Sequence, residues 1–200
     1  MSDKPSKKQD LRARYTKQIL GESLLQLLEE KPLGKITVKE LCAAADINRA
    51  TFYAHFSDIY ELMDEMKKEL EKNVLEHMEK WVSDTRLDKR ESLTEYLRFT
   101  RENAFLYLLM REENGADSLR SHTWEVVKRH QLSHPPVSAP QLPENQQEYL
   151  LVFYTYGITQ VIDEWLRQDA PISAHELADM LYRYCIPEMQ GRPLSGGNGP

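Results

Sequence analysis

Residues 36–56 read ITVKELCAAADINRATFYAHF. The pattern is that of two short helices joined by a tight turn. Thr37 stands three residues before Glu40, the spacing of a capping box, in which hydroxyl and carboxylate each satisfy a backbone N–H at the helix start. Val38, Leu41, Cys42 and Ala45 recur at i, i+3, i+4 and i+7 and form one apolar stripe. Asp46 follows, and Asp is one of the few non-glycine residues that tolerates the left-handed conformation of a sharp helix–helix turn. Ile47 returns an apolar side chain to the corner. Asn48 suits the cap of a second helix, which is expected to run from Arg49 to about Phe56, with Phe52 and Phe56 facing inward at i, i+4. Arg49, Thr51, Tyr53 and His55 are left on other faces. A short helix that buries a Phe pair and exposes these polar groups suits a DNA groove, and the whole reads as a helix-turn-helix.

The segment resembles the DNA-binding signature of the TetR family of transcriptional regulators. That signature has a threonine-capped second helix with an alanine-rich end, a turn, and a recognition helix ending in an aromatic-Tyr-x-His-Phe run. Here the run is Phe52-Tyr53-Ala54-His55-Phe56. Asp46 stands where the family usually has Gly, and Asn48 where it often has Ser or Thr; both swaps keep the physics. Family members also often place a Lys just after the His-Phe pair, where it can meet a phosphate, and this chain has Ser57, Asp58 and Ile59 there. The resemblance is specific over about residues 10–60. Beyond them it rests on helix order and on the pattern from Gly157 to Trp165.

Composition bounds the alternatives. Two hundred residues, 40% of them hydrophobic, suffice for one domain or for a small and a medium one. No run of about 18 apolar residues offers a membrane span, and residues 1–10 lack the apolar stretch of a secretory signal. The two cysteines, Cys42 and Cys185, have no CxxC partners, so neither a disulfide framework nor a zinc site is expected, and two reduced thiols in a cytoplasmic protein are. The net charge of −6 argues against nucleic acid until its distribution is examined. Residues 1–56 carry ten Lys or Arg against seven Asp or Glu, whereas the remainder carries 16 against 25. A mildly basic head on an acidic body fits a DNA reader whose larger part must not adhere to DNA.

Taken in order, residues 1–8 read as a flexible basic arm, either a solvated tail or a minor-groove or phosphate contact. A first helix is expected over residues 9–31, with Leu20, Leu24, Leu27 and Leu28 on one face. Gly21 inside it costs about 1 kcal/mol against Ala and permits a close helix contact. Pro32 and Gly34 end it. Residues 9–56 then form a three-helix head. From Ser57 a long helix continues to about residue 83 as the connector to a body spanning 57–190. A charged break covers residues 85–90. Helices are expected at 91–100, 103–113 and about 116–131, the first two nearly continuous, and Gly115 fits a helix end. Residues 132–145 hold Pro135, Pro136, Pro140 and Pro143 and read as an extended linker. A helix over 144–168 is apolar on two faces, so two sides must be buried, the second most simply by another subunit. Ser173 and Glu176 cap a last helix, and residues 191–200 read as a disordered tail. Neither strands nor repeats are apparent. The fold class is therefore all-α: an N-terminal three-helix helix-turn-helix domain and a helical C-terminal regulatory and dimerisation domain.

The site candidates follow. Arg49, Ala50, Thr51 and Tyr53 are expected to meet DNA, an Arg forking to guanine and a Thr methyl meeting a thymine methyl. Lys35, Thr37, Tyr53 and His55 are read as phosphate positioners, and Asn48 either caps its helix or reaches DNA. The resemblance implies a homodimer through the last two helices. Its interface candidates are Tyr149, Val152, Phe153, Tyr156, Gly157, Val161, Trp165, Leu177, Leu181 and Tyr184, with the core-facing and partner-facing sides left open. It also implies a small-molecule pocket in the body. Candidates for that are Met63, Met66, Phe99, Phe105, Tyr107, Met110, Trp124 and Tyr154, although aromatic and Met residues at helical spacing are more often plain core. His77, His122, His130, His134 and His175 show only one i, i+4 pair, so no metal and no cofactor is expected. No phosphate loop, HExxH or nucleophile elbow marks an enzyme. The expected function is a transcriptional regulator, most simply a repressor released from a palindromic operator by an effector. The alternative is a TetR-like co-activator or architectural protein acting through a protein partner.

Overall fold

The computed structural model describes residues 7–83, 88–112, 118–133 and 143–185. All regular structure among them is helical: α1 (Lys7–Glu30), α2 (Val38–Ala44), α3 (Arg49–Tyr53), α4 (Ile59–Ser83), α5 (Lys89–Glu102), α6 (Ala104–Glu112), α7 (Leu119–Ser133), α8 (Glu144–Arg167) and α9 (Ala174–Met180). A single 3-10 turn, Leu33–Lys35, precedes α2, and a wider turn, Leu181–Cys185, extends α9. The chain divides into two compact units with the boundary between Glu69 and Leu70, inside α4.

The first unit is built around Leu20 and Leu24 of α1, Leu41 and Cys42 of α2, Phe52 of α3, and Ile59, Leu62 and Met63 of α4, all buried. Gly21 faces Met66, and a Cβ added there would stand 3.4 Å from the Met66 Cε, an ordinary contact. Both start signals read from sequence are present. Thr37 and Glu40 form the complete capping box of α2, and Asn48 Oδ1 accepts from the Ala50 N–H at 2.8 Å to cap α3. Asp46 adopts φ 52°. The Ile47 N–H returns to the Cys42 carbonyl at 2.9 Å and the Asp46 N–H to Ala43 at 3.4 Å, which is the Schellman closure of α2.

Several boundaries differ from those expected. Helix α1 begins at Lys7, so Lys7 and Lys8 belong to it rather than to an arm; residues 1–6 lie outside the described residues. Helix α3 ends at Tyr53, because the His55 and Phe56 N–H groups both turn back to the Phe52 carbonyl at 2.9 Å. Helix α4 starts at Ile59 rather than Ser57: Asp58 Oδ1 caps the Glu61 N–H at 2.9 Å, and Glu61 reaches back to Ser57. Asp88 caps α5, so Lys89 and Arg90 are helical and not part of a break. Leu132 and Ser133, read as linker, are also helical, and Glu144 and Asn145, where the linker and helix readings overlapped, belong to the helix. The four linker prolines, Gly115 and the tail at 191–200 lie outside the described residues.

In the second unit α5 packs chiefly on α9, and α6 packs on α8. Its core holds Leu93, Tyr96, Leu97, Tyr107, Met110, Val127, Ile162, Leu166, Leu177 and Leu181. Three residues expected at a dimer surface belong to this core. Trp165 is buried and donates from Nε1 to the Ile172 carbonyl at 2.9 Å, and Leu177 and Leu181 are likewise enclosed by their own chain. Their burial leaves no surface on them for a partner.

Two buried charges cross this core. Arg111 of α6 and Asp163 of α8 are 3% and 1% exposed. The Arg111 Nε donates at 3.1 and 3.2 Å and its Nη2 at 3.1 Å to the Asp163 carboxylate. Burial disfavours the Arg111 charge, but the bonds to Asp163 outweigh it and hold the guanidinium protonated. Nearby, the buried Tyr96 and Tyr107 hydroxyls meet at 3.3 Å, and burial pushes the Tyr107 hydroxyl well above its ordinary value.

Two stability measurements check this description. Asp46→Val should cost about 1–2 kcal/mol, because a β-branched residue is forced into the left-handed region, whereas Asp46→Gly should change stability by less than about 1 kcal/mol. Asp163→Ala should cost about 3–5 kcal/mol in urea unfolding, because it leaves the Arg111 charge buried and unpaired.

Candidate nucleic-acid interface and the surfaces of the body

Helix α3 has five residues, fewer than an isolated helix needs to persist in water. Its placement therefore depends on Phe52, which has no exposed surface. The Phe52 ring packs 5.8 Å from Phe56 and edge-on to Tyr53 at 5.4 Å. Lys17 of α1 lies 5.4 Å over the Phe56 ring and pairs with Glu65 of α4, closing the cluster from behind. Burying Phe52 turns the rest of α3 outward. Arg49, Ala50, Thr51 and Tyr53 are all exposed, with Tyr53 at 54%.

Lys35 and Thr37 are exposed at the start of α2, and Lys39, which the pattern did not single out, is exposed one turn along. His55 is half-buried. Thr37 donates its hydroxyl hydrogen to Glu40 Oε2 at 2.8 Å and accepts from the Glu40 N–H at 3.2 Å. As a phosphate donor it is therefore already engaged, and what it offers is a firmly placed helix start. Asn48 resolves in a similar way: its Oδ1 is the α3 cap, and its amide NH2 is left to face outward. Ser57 and Asp58, in the place of the family's Lys, are committed to the start of α4.

Glu40 also pairs with Lys31 at 2.7 Å. The bonds from Lys31 and from the Thr37 side chain and backbone lower its pKa from 4.5 to about 2. At the start of α4, the Ser57 backbone N–H and hydroxyl hold Glu61 below its usual range. In both cases the carboxylate is stabilised by the helix start that it ties down.

In the second unit α8 presents an exposed stripe, with Tyr149 75%, Val152 37%, Phe153 68%, Tyr156 38% and Val161 36% exposed. Gly157 belongs to it, and a Cβ there would meet nothing within 4 Å. Tyr184 is 70% exposed. The opposite face carries Thr159, Ile162, Asp163 and Leu166 into the core.

A partly open cavity of about 40 Å³ lies in the same unit, walled by Met78 and Trp81 of α4, Leu93 and Tyr96 of α5, Val127 of α7 and Ile158 of α8. Tyr154 also lines it. The other pocket candidates lie elsewhere. Met63 is core of the first unit, and Met66 packs against Gly21. Phe99 stacks on His77 at 4.8 Å, and Trp124 packs on Tyr156 at 6.0 Å. Tyr107 and Met110 are buried in the body core, and Phe105 faces outward. Aromatic and Met residues at helical spacing fill core and pocket alike, so sequence did not separate the two uses. The cavity walls Met78, Trp81 and Ile158 carried no mark beyond apolarity. Among the described residues no group of three or more His, Cys, Asp or Glu could hold a metal ion.

Two family models match this arrangement. One for bacterial regulatory proteins of the tetR family matches residues 22–66, the stretch holding the capped α2, its left-handed turn and α3. One for a transcriptional regulator C-terminal region matches residues 88–186. The chain belongs to the TetR family of transcriptional regulators. As a TetR-family protein it is a helix-turn-helix, DNA-binding regulator of transcription, and no enzymatic family is indicated. Among solved structures it is similar to the dihydroxyacetone kinase operon activator DhaS, with 15% identity over 89% of this chain and 98% of that one and a TM-score of 0.59, a likeness of fold. The TetR family repressor AlkX from Dietzia sp. strain DQ12-45-1b, implicated in biodegradation of n-alkanes, aligns at 15% identity over 86% of this chain and 97% of that one, with a TM-score of 0.46. No curated protein matches the chain by sequence. No helix of this TetR-family chain among the described residues is long and apolar enough to cross a membrane.

The depressed Glu40 gives the TetR-family head a defined acid response. Its folded pKa lies below its unfolded value, so its contribution is complete above 4.5 and is lost as pH falls toward about 2. Urea midpoints of wild type and Glu40→Gln should differ at about pH 6 and converge by about pH 2.

Proposed function

We propose that this regulator acts as a homodimer on a palindromic operator, represses transcription from it, and is released by a small molecule bound in the body. The observation that carries the DNA-reading part is the fully buried Phe52, which sets Arg49, Thr51 and Tyr53 on the outer face of α3. Arg49 is the base reader and Thr51 its apolar neighbour, while Tyr53, Lys35 and the amide of Asn48 position the phosphates. His55, half-buried, belongs to the edge of this surface.

The exposed α8 stripe supports the dimer. Tyr149, Phe153 and Tyr156 offer aromatic surface along one helix face, and Gly157 leaves room for a close neighbour. Such a face on a soluble chain is an association surface, and a two-fold partner is the simplest occupant. Tyr184 extends it. A two-fold dimer predicts half-sites one DNA turn, roughly 34–36 Å, apart. Release by a ligand is supported by helix α4, whose first turns carry the head residues Ile59 and Leu62 and whose last turns line the cavity through Met78 and Trp81. A ligand that favours one arrangement of this helix shifts the population of DNA-competent dimers.

A second reading keeps the fold and changes the sign: an activator working through a protein partner. The favouring observation is the fold likeness to a protein named as an operon activator. Transcription from a reporter carrying the selected operator separates the two, since the repressor lowers expression and the activator raises it.

Selection of bound sequences from random DNA tests the main reading, with a palindrome of the stated spacing expected. Arg49→Ala should cost about 1–3 kcal/mol at one base position, and Tyr53→Ala should weaken all sequences alike. Phe153→Glu should yield monomers in light scattering and abolish preference for the full palindrome. Unchanged DNA affinity in both α3 variants would refute the recognition-helix assignment.

A further inference from the structure

We infer that the first three turns of α1 form a second DNA contact, in which Arg12 and Arg14 hold phosphates beside the bases that α3 meets. The inference rests on the reading of α3 as the DNA-facing helix and adds to it the residues that supply the attraction for the duplex.

The first observation is where the charge lies. Residues 7–17, KKQDLRARYTK, carry five Lys or Arg against one Asp. Residues 18–56, which include the whole helix-turn-helix, carry four against five. The basic character of the head therefore resides in the start of α1 and not in α2 and α3. Attraction to duplex DNA comes chiefly from cations placed near phosphates, and the helix-turn-helix alone has no excess of them. Lys7 and Lys8 open the helix, where cations oppose the macrodipole, so helix stability does not explain their place. Ser57 and Asp58, in the place of the family's Lys, are committed to the start of α4.

The second observation is exposure. None of residues 11–19 is buried, and the fully enclosed part of α1 begins at Leu20. Leu11 and Tyr15, four positions apart, are 64% and 65% exposed and form a ridge along the outer side. Arg12 and Arg14 are exposed as well, and at 3.6 residues per turn they stand on opposite flanks of that ridge. Neither has an ion-pair partner among the described residues. Two uncommitted guanidinium groups astride an apolar ridge suit a sugar–phosphate strand, whose anionic oxygens alternate with apolar deoxyribose faces. Each guanidinium can meet a phosphate through two N–H groups at once.

The third observation is place. Lys17 of α1 lies 5.4 Å over the Phe56 ring, and Phe56 neighbours Phe52 at 5.8 Å and His55 at 6.4 Å. Helix α1 therefore crosses the head beside the end of α3, and residues 7–16 continue past that crossing for about 15 Å at 1.5 Å per residue. Phosphates next to the bases under α3 lie within that reach. Such contacts carry no sequence information, so they fix register and raise affinity for all duplexes alike. An acidic protein surface or an anionic membrane would also attract these cations. DNA is favoured because the charge sits on the same compact unit as α3.

The test follows binding of the full-length protein to a fluorescein-labelled duplex of mixed sequence, about 40 base pairs long, by anisotropy between about 50 and 200 mM KCl. No operator is required. Arg12→Gln combined with Arg14→Gln removes both charges and keeps helix propensity. The slope of log K against log salt should become shallower by about 1.8 for each bound head, at roughly 0.9 per phosphate contact on a duplex. Arg12→Lys combined with Arg14→Lys should keep the wild-type slope. Tyr53→Ala removes an uncharged side chain from the α3 face, so it should lower affinity and leave the slope in place. Both Arg pairs should retain the wild-type urea midpoint, since the side chains are exposed. An unchanged slope in the Gln pair, with affinity lost in Tyr53→Ala, overturns the inference and leaves the α3 reading standing. If neither variant binds differently from wild type, both readings fall. Tighter DNA binding by the Gln pair would place α1 on the acidic remainder of the chain, in competition with DNA. Wild-type binding to phosphatidylglycerol vesicles, lost in the Gln pair while the DNA slope stays, would assign α1 to a membrane. Either of these results overturns the inference.

Discussion

The outer face of α3 depends on the burial of one phenylalanine. Helix α3 has five residues and no autonomous stability. Phe52, with no exposed area, ties it to the core that α1, α2 and the start of α4 provide. Every outward residue of α3, Arg49 and Thr51 among them, owes its direction to that inward one. Phe56 extends the anchor past the end of the helix, and Lys17, over its ring, joins the anchor to α1.

The turn into α3 is equally constrained. The Schellman closure of α2 needs a left-handed residue, and Asp46 supplies it at φ 52°. The same closure ends α8, where the Ala170 N–H returns to the Trp165 carbonyl at 2.8 Å and the Asp169 N–H to Leu166 at 3.1 Å. There Asp169 and Ala170 both take positive φ, at 58° and 49°. Alanine in that region is costly, and the burial of Ala170 together with the Trp165 bond to Ile172 holds it in place. One turn sets the direction of α3, and the other folds α9 back toward α5. The helix starts are as closely specified: capping boxes at Thr37 and Ser173 place the first turns of α2 and α9.

The body divides its apolar surface among three uses that look identical in sequence. Helix α8 sends Leu166 to the core, Leu151, Ile158 and Ile162 to a cavity, and Tyr149, Phe153 and Tyr156 outward. The Arg111–Asp163 pair fixes α6 against α8 at the boundary between these uses, and a charged pair tolerates less sliding than apolar side chains do, because its bonds are directional. The pair was invisible in the sequence. Asp163 falls among apolar residues at core spacing, which is the one signal that a charge is buried there, but nothing in the order of residues says that Arg111, 52 positions away, is the partner.

What the sequence determined by itself was local. Capping boxes, the left-handed turn at Asp46, the Phe52 and Phe56 spacing and the all-helical class depend on residues within a few positions of one another, where backbone hydrogen bonding and side-chain period leave little freedom. The resemblance of residues 36–56 to a TetR signature rested on the same short-range pattern. Tertiary structure decided everything that depends on which apolar face meets which. It placed Trp165, Leu177 and Leu181 in the core rather than at a partner surface, left the Trp81 indole N–H buried without a partner among the described residues, and kept Met63 and Met66 with the head core. The physical reason is that the hydrophobic effect is not directional. Apolar periodicity states that a face must be covered, and only the packed chain states by what.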